Sequence, residues 1–183
     1  MNNHLTLGKR IILTCLTTSL FGLLLIWEHL HGGVESHYLL HNPDLPSISN
    51  WWGLLNIPLV TWISLWLIQK RFEKVEESSI PGMTRQVIIR FSAALLFGIS
   101  MSLLFVFGQE NAMLWMMLGA IVLSFFLPLY LPENILGFIL GMVVTFGATI
   151  PLILAAILLI IFVIAYVLIR RAILGILRLL TGK

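Results

Sequence analysis

Residues 135–169 read ILGFILGMVVTFGATIPLILAAILLIIFVIAYVLI, without a single charge. As one α-helix this stretch would be about 52 Å long at 1.5 Å per residue. The hydrocarbon core of a bilayer is only roughly 30 Å thick. The stretch must therefore fold back on itself. Gly147-Ala148-Thr149-Ile150-Pro151 is the expected turn, because glycine frees the backbone and proline removes a hydrogen-bond donor. Two spans result, at about 135–148 and 152–169.

Four more apolar runs precede them, at about 11–27, 51–69, 87–108 and 112–131. The composition agrees. Of 183 residues, 59% are hydrophobic and 10% charged, and the mean hydropathy is +1.01. Ordinary soluble domains carry about 25% charged residues. That excludes a soluble enzyme, a nucleic-acid module and a disordered tail. The N-terminus resembles a signal peptide, but its apolar run continues to Trp27 without a small-x-small cleavage site, so a retained span is expected. The single cysteine, Cys15, excludes an internal disulfide and reads as a small buried hydrophobe.

The fold class expected is an all-α integral membrane protein, a compact bundle of six transmembrane helices. With six spans, all 11 basic residues fall on one side, against the acids Glu73, Glu76, Glu77 and Glu133. The other side holds Glu28, Glu35, Asp44 and Glu110, with no Lys or Arg. Basic residues stay cytoplasmic. A bacterial-type inner membrane with both termini cytoplasmic follows. The net charge of +3 is then a topology signal and not a nucleic-acid footprint. Residues 70–86 form a cytoplasmic loop, and the tail 170–183 an interfacial helix on the anionic inner leaflet.

Helices in lipid associate through small residues that let backbones approach. Such stripes occur at Thr14, Thr18 and Gly22, continuing through Leu25 to His29. Others are Trp52, Asn56, Val60 and Ser64; Ala94, Gly98 and Ser102; Ala120, Ser124 and Pro128; and Gly137, Gly141, Thr145 and Thr149. The first of these would carry His29 inward at the outer mouth of the bundle, where Asn56 also lies.

The chemistry concentrates in the outer loop, residues 28–50. It holds His29, His31, His37 and His41, with Glu28, Glu35 and Asp44 among them. Imidazoles with carboxylates suit a divalent transition metal, zinc first. A short helix would put His37 and His41 on one face. The four histidines are the expected ligands, and Glu28, Glu35 or Asp44 a ligand or general base. Trp51, Trp52, Asn56 and Glu110 are candidate substrate contacts at the same level. No charge sits mid-span, as it does in proton pumps and ion-coupled carriers.

Ser49-Asn50, Leu54-Leu55 and Pro58-Leu59, with Trp27-Glu28 upstream, resemble the start of the alkaline ceramidase family of membrane hydrolases. That resemblance implies seven spans and a zinc held partly by a late HxxxH. This chain has no histidine after His41, so the family's site is not carried over. In size and span number the chain is similar to the substrate-binding subunits of energy-coupling vitamin transporters, by architecture alone. Three functions remain. One is a metal-dependent membrane enzyme acting on a lipid-soluble or lipid-linked substrate. Another is a non-catalytic substrate- or metal-binding subunit of a transporter. The third is an interaction or assembly protein. The bilayer is the common partner, with a second copy or a membrane subunit beside it.

Overall fold

The computed structural model describes residues 5–34, 36–38 and 47–170. Among them are six α-helices and a short antiparallel hairpin. Helix α1 (Leu7–Leu30) starts at Thr6, whose hydroxyl accepts the Lys9 N–H at 3.4 Å. It ends before Gly32 and Gly33, with φ of 130° and 107°, a backbone that side chains resist. Strand β1 (Ser36–Tyr38) pairs with β2 (Ser47–Ser49), placing His37 opposite Ile48. A 3₁₀ turn at Asn50–Trp52 leads into α2 (Gly53–Phe72). Helix α3 (Ile80–Val106) has Pro81 in its first turn, where the missing N–H costs nothing. Gly108, at φ 67°, turns the chain into α4 (Glu110–Leu123). Helix α5 (Pro132–Phe146) starts on Pro132 and stops at Gly147, φ 66°. The turn expected at 147–151 is therefore present. Helix α6 (Thr149–Val163) relaxes into a π-helical segment, Ile164–Ile169.

Among the described residues four helices are long and apolar enough to cross a membrane: Leu7–Leu30, Asn50–Phe72, Glu77–Val106 and Thr149–Ile169. Helices α4 and α5 have 14 and 15 residues, or about 21–22 Å. The apolar run 112–131 does not stay helical. After Leu123 the hydrogen bonds shorten to Phe125 N–Val122 O and Phe126 N–Leu123 O, and Pro128 prevents the helix from resuming.

Helix α5 is the centre of the bundle. Leu136, Phe138, Ile139 and Met142 are buried in it, with α3 on one side and α1, α2 and α6 completing the core. The α3–α5 seam is glycine on glycine. A Cβ on Gly98 would lie 2.6 Å from the Phe138 carbonyl, and one on Gly141 would lie 3.0 Å from Gly98 Cα and overlap the Leu95 carbonyl. Of the two stripes read from the sequence, Ala94, Gly98 and Ser102 meet Gly137 and Gly141, whereas Thr149 of the second stripe begins α6 instead. Large apolar side chains on the outward faces, such as Ile12, Leu20, Leu96 and Ile160, are exposed. A water-solvated surface does not carry so continuous an apolar cover.

Hydrogen bonds set the helix directions. Asn56 on α2 donates to the Thr149 hydroxyl at the start of α6, at 3.0 Å. The start of α1 meets the end of α2 through Arg10 and Gln69, at 3.1 Å. The end of α2, the first half of α3 and the start of α5 meet through Arg71, Arg90 and Glu133. The described Arg and Lys side chains on these segments therefore gather at one end, opposite the hairpin.

Three local expectations are corrected. His29 is exposed, and the inward line of α1 is Phe21, Leu25 and Glu28. Adjacent helix positions differ by about 100°, and burial of Phe21 and Leu25 selects the face that carries Glu28. Cys15 is exposed and not buried, for the same reason. His37 lies in a strand and not in a short helix, because Ser36–Tyr38 finds backbone partners in Ser47–Ser49.

Candidate functional site

At the hairpin end, Glu28 is 7% exposed and Asn50 4%. The Asn50 amide donates to both carboxylate oxygens of Glu28, at 3.0 and 3.2 Å. This bond ties the end of α1 to the start of α2. Burying a carboxylate is tolerable only with such donors. Replacing Asn50 by Leu is expected to cost about 1.5–3 kcal/mol, the worth of a hydrogen bond to a charged group. Asn50→Asp should cost more, because it sets a second carboxylate against the first. Thermal unfolding in detergent micelles reads both.

The other residues of the outer loop are dispersed. His31 caps α1, stacks on Trp27 with ring centroids 4.7 Å apart, and donates its Nδ1–H to the Trp27 carbonyl at 2.8 Å. That bond selects one tautomer and leaves the Nε2 lone pair available. Trp51 and Trp52 are exposed beside the hairpin. Glu110 is exposed in the first turn of α4. Asn56 is engaged with Thr149. Glu35, His41 and Asp44 lie outside the described residues, and of His37 only the backbone is described. Among the described residues no three His, Cys, Asp or Glu side chains form a group that could hold a metal ion.

The opposite end holds the stronger polar cluster. Glu133, in the first turn of α5, is fully buried. Arg71 Nη1 donates to it at 2.6 Å and Arg90 Nη1 at 3.3 Å. Arg90 Nη2 also donates to Gln86 at 3.3 Å. Nearby, Arg10 is 6% exposed, with its guanidinium carbon 4.0 Å over the Trp62 ring. The ring's negative face stabilises a cation that has little access to water. At the rim, Lys70 bonds Glu73 at 2.9 Å and holds that exposed carboxyl below the usual carboxylate range. Any stability this adds is full above the unfolded value and disappears as pH falls through the lowered one.

Among the described residues several apolar clefts flank α5, two of them also bounded by α3. The first, about 230 Å³, lies between α3, α4, α5 and α6 and is lined by Ala94, Phe97, Ala120, Phe138, Ala155 and Leu158 among others. Its one polar lining residue is Asn134, whose amide donates to the Pro128 carbonyl at 3.1 Å. It opens sideways past the exposed Ala93, Leu123 and Leu127. The second, about 320 Å³, lies between α1, α2, α3 and α5, with Glu133 as its one charged lining residue.

Sequence reading placed Arg71, Arg90 and Glu133 on one side of the membrane but did not pair them. It missed Arg10 as a buried residue and Asn50 as the partner of Glu28. A carboxylate beside Asn134, just inside an apolar run, was the available cue for Glu133. No protein-family model, curated protein or solved structure matches this chain.

Proposed function

We propose that the chain is a multi-pass inner-membrane protein that binds a lipid-soluble molecule without transforming it, as a ligand-binding subunit. The cleft between α3 and α6 is the observation that carries this reading. Its walls are apolar, it is framed by four helices, and its mouth faces sideways. A lateral mouth admits a molecule already dissolved in the bilayer. At about 230 Å³ it is smaller than the roughly 300–1,000 Å³ of sites for drug-sized ligands. A single chain of a longer amphiphile suits it best. The basic end then faces the cytoplasm, in keeping with the charge bias of membrane proteins.

Ala93→Trp tests the reading, because Ala93 is exposed at the mouth and tolerates a larger side chain without repacking the core. Native mass spectrometry of the detergent-purified protein should find a co-purifying apolar molecule in the wild type. The variant should lose it with an unchanged unfolding midpoint. Equal retention in both would sink the proposal.

A second reading is a metal-dependent enzyme at the hairpin end. It is favoured by His31, whose ring is held in place with Nε2 available for a ligand bond. Stoichiometric zinc in the purified protein, lost on replacing His31 and His37 by Ala, would select it over the first.

A further inference from the structure

The pairing of Arg71 and Arg90 on Glu133 does more than staple three helices. One carboxylate between two guanidiniums leaves a net positive charge. Among the described residues only Arg71 Nη1, Arg90 Nη1 and Arg90 Nη2 find protein acceptors, whereas each guanidinium carries five N–H donors. The Glu133 side chain is 1% exposed, but those of Arg71 and Arg90 are 30% and 29% exposed. The carboxylate thus fixes both arginines, and their remaining donors have no acceptor among the described residues.

The second cleft starts at this cluster. Glu133 lines it together with Ile68, Val87, Ile88 and Phe91, and it runs along α5 to Leu140. Leu13 and Ile88, on its lining, are exposed between α1 and α3. Arg71 and Arg90 do not line this apolar cleft of about 320 Å³ but stand beside it, held on Glu133, its one charged lining residue, and an immobilised cationic pair next to an apolar cleft has the polarity of one ligand class. We infer that this cleft binds an anionic phospholipid, with its phosphate on Arg71 and Arg90 and an acyl chain along Val87, Ile88 and Leu136. Guanidinium suits phosphate because its planar fork can donate two parallel bonds. The inference does not depend on the cleft between α3 and α6, which lies on the other side of α5.

The test is retention of lipid by the full chain in detergent micelles doped with phosphatidylglycerol or phosphatidylcholine, counted by native mass spectrometry. The wild type should retain the anionic lipid at least about fivefold better, the contribution of one basic residue at an anionic headgroup. Arg90→Gln keeps the shorter Arg71–Glu133 pair and should bring the two lipids to parity. Ile88→Trp leaves every charge in place and should lower retention of both. A wild type without preference, or an Arg90→Gln variant that keeps it, overturns the inference. So does inorganic phosphate at millimolar concentration raising the unfolding midpoint as much as phosphatidylglycerol, which would mark a free-anion site. Should Arg90→Gln fail to fold, Arg90→Lys carries the same question. It keeps the charge but not the fork, and a preference reduced below that of the wild type is the expected result. An unreduced preference counts against the assigned phosphate contact.

Discussion

Gly141→Leu is expected to abolish the native packing of the bundle. A single Cβ at this position already overlaps the Leu95 carbonyl and comes within 3.0 Å of Ile99 N. Both are backbone groups of α3, which cannot rotate away as a side chain can. The helices would have to separate along their whole seam, because Gly98 and Gly137 make the same kind of approach. Overpacking a core costs about 1–3 kcal/mol where side chains can yield, and here it should exceed that. In lipid the helices gain little from hydrophobicity, so close contact is most of what holds them. Gly141→Ala should lie between wild type and Gly141→Leu. Gly119→Ala is the control, since nothing lies within 4 Å of its added Cβ. Unfolding midpoints in one detergent should fall in the order Gly119→Ala, Gly141→Ala, Gly141→Leu. An unchanged midpoint for Gly141→Ala would contradict the seam.

The stripes of the seam were legible before the structure because they are written in local periodicity. Residues four apart on a helix share a face, so the stripes Ala94, Gly98, Ser102 and Gly137, Gly141 could each be read from one helix alone, whereas their meeting is a finding of the structure. The break at Gly147 was legible for the same reason. The hairpin was not, since Ser36–Tyr38 and Ser47–Ser49 are too short to show an alternation. Helix rotation was legible only to within one position. The stripe through Gly22 and His29 lies beside the buried line through Phe21, Leu25 and Glu28. A difference of about 100° exchanges a buried carboxylate for an exposed imidazole, and with it the character of the candidate site.

Pairings across the bundle lie beyond any local pattern. Glu28 and Asn50 were each visible as outer polar residues, yet their mutual bond requires the α1–α2 packing to be known. Arg71 and Glu133 are separated by two intervening helices. Charge counting assigned both to the basic side and stopped there, because a count of charges carries no distances. The expected histidine site remains a proposal, with Glu35, His41 and Asp44 outside the described residues.

Replacing both Arg71 and Arg90 by Gln should have the second large effect. It leaves the Glu133 carboxylate fully buried with no cation beside it. Breaking a buried ion pair from one side costs about 3–5 kcal/mol, since the remaining charge has lost both water and partner. The converse change, Glu133→Gln, should cost less, because the two arginines are nearly a third exposed and water can reclaim them. This asymmetry follows from burial alone and separates a buried-charge penalty from simple loss of contacts. Adding Glu133→Gln to the double arginine variant removes the stranded charge and should recover most of the lost stability. Neutral replacements of a buried triad are often tolerated. Unfolding midpoints of the single, double and triple variants, measured in one detergent, decide it. A triple variant no more stable than the double would mean that the arginines matter through their aliphatic packing, and that the charge on Glu133 is not what organises this end of the bundle.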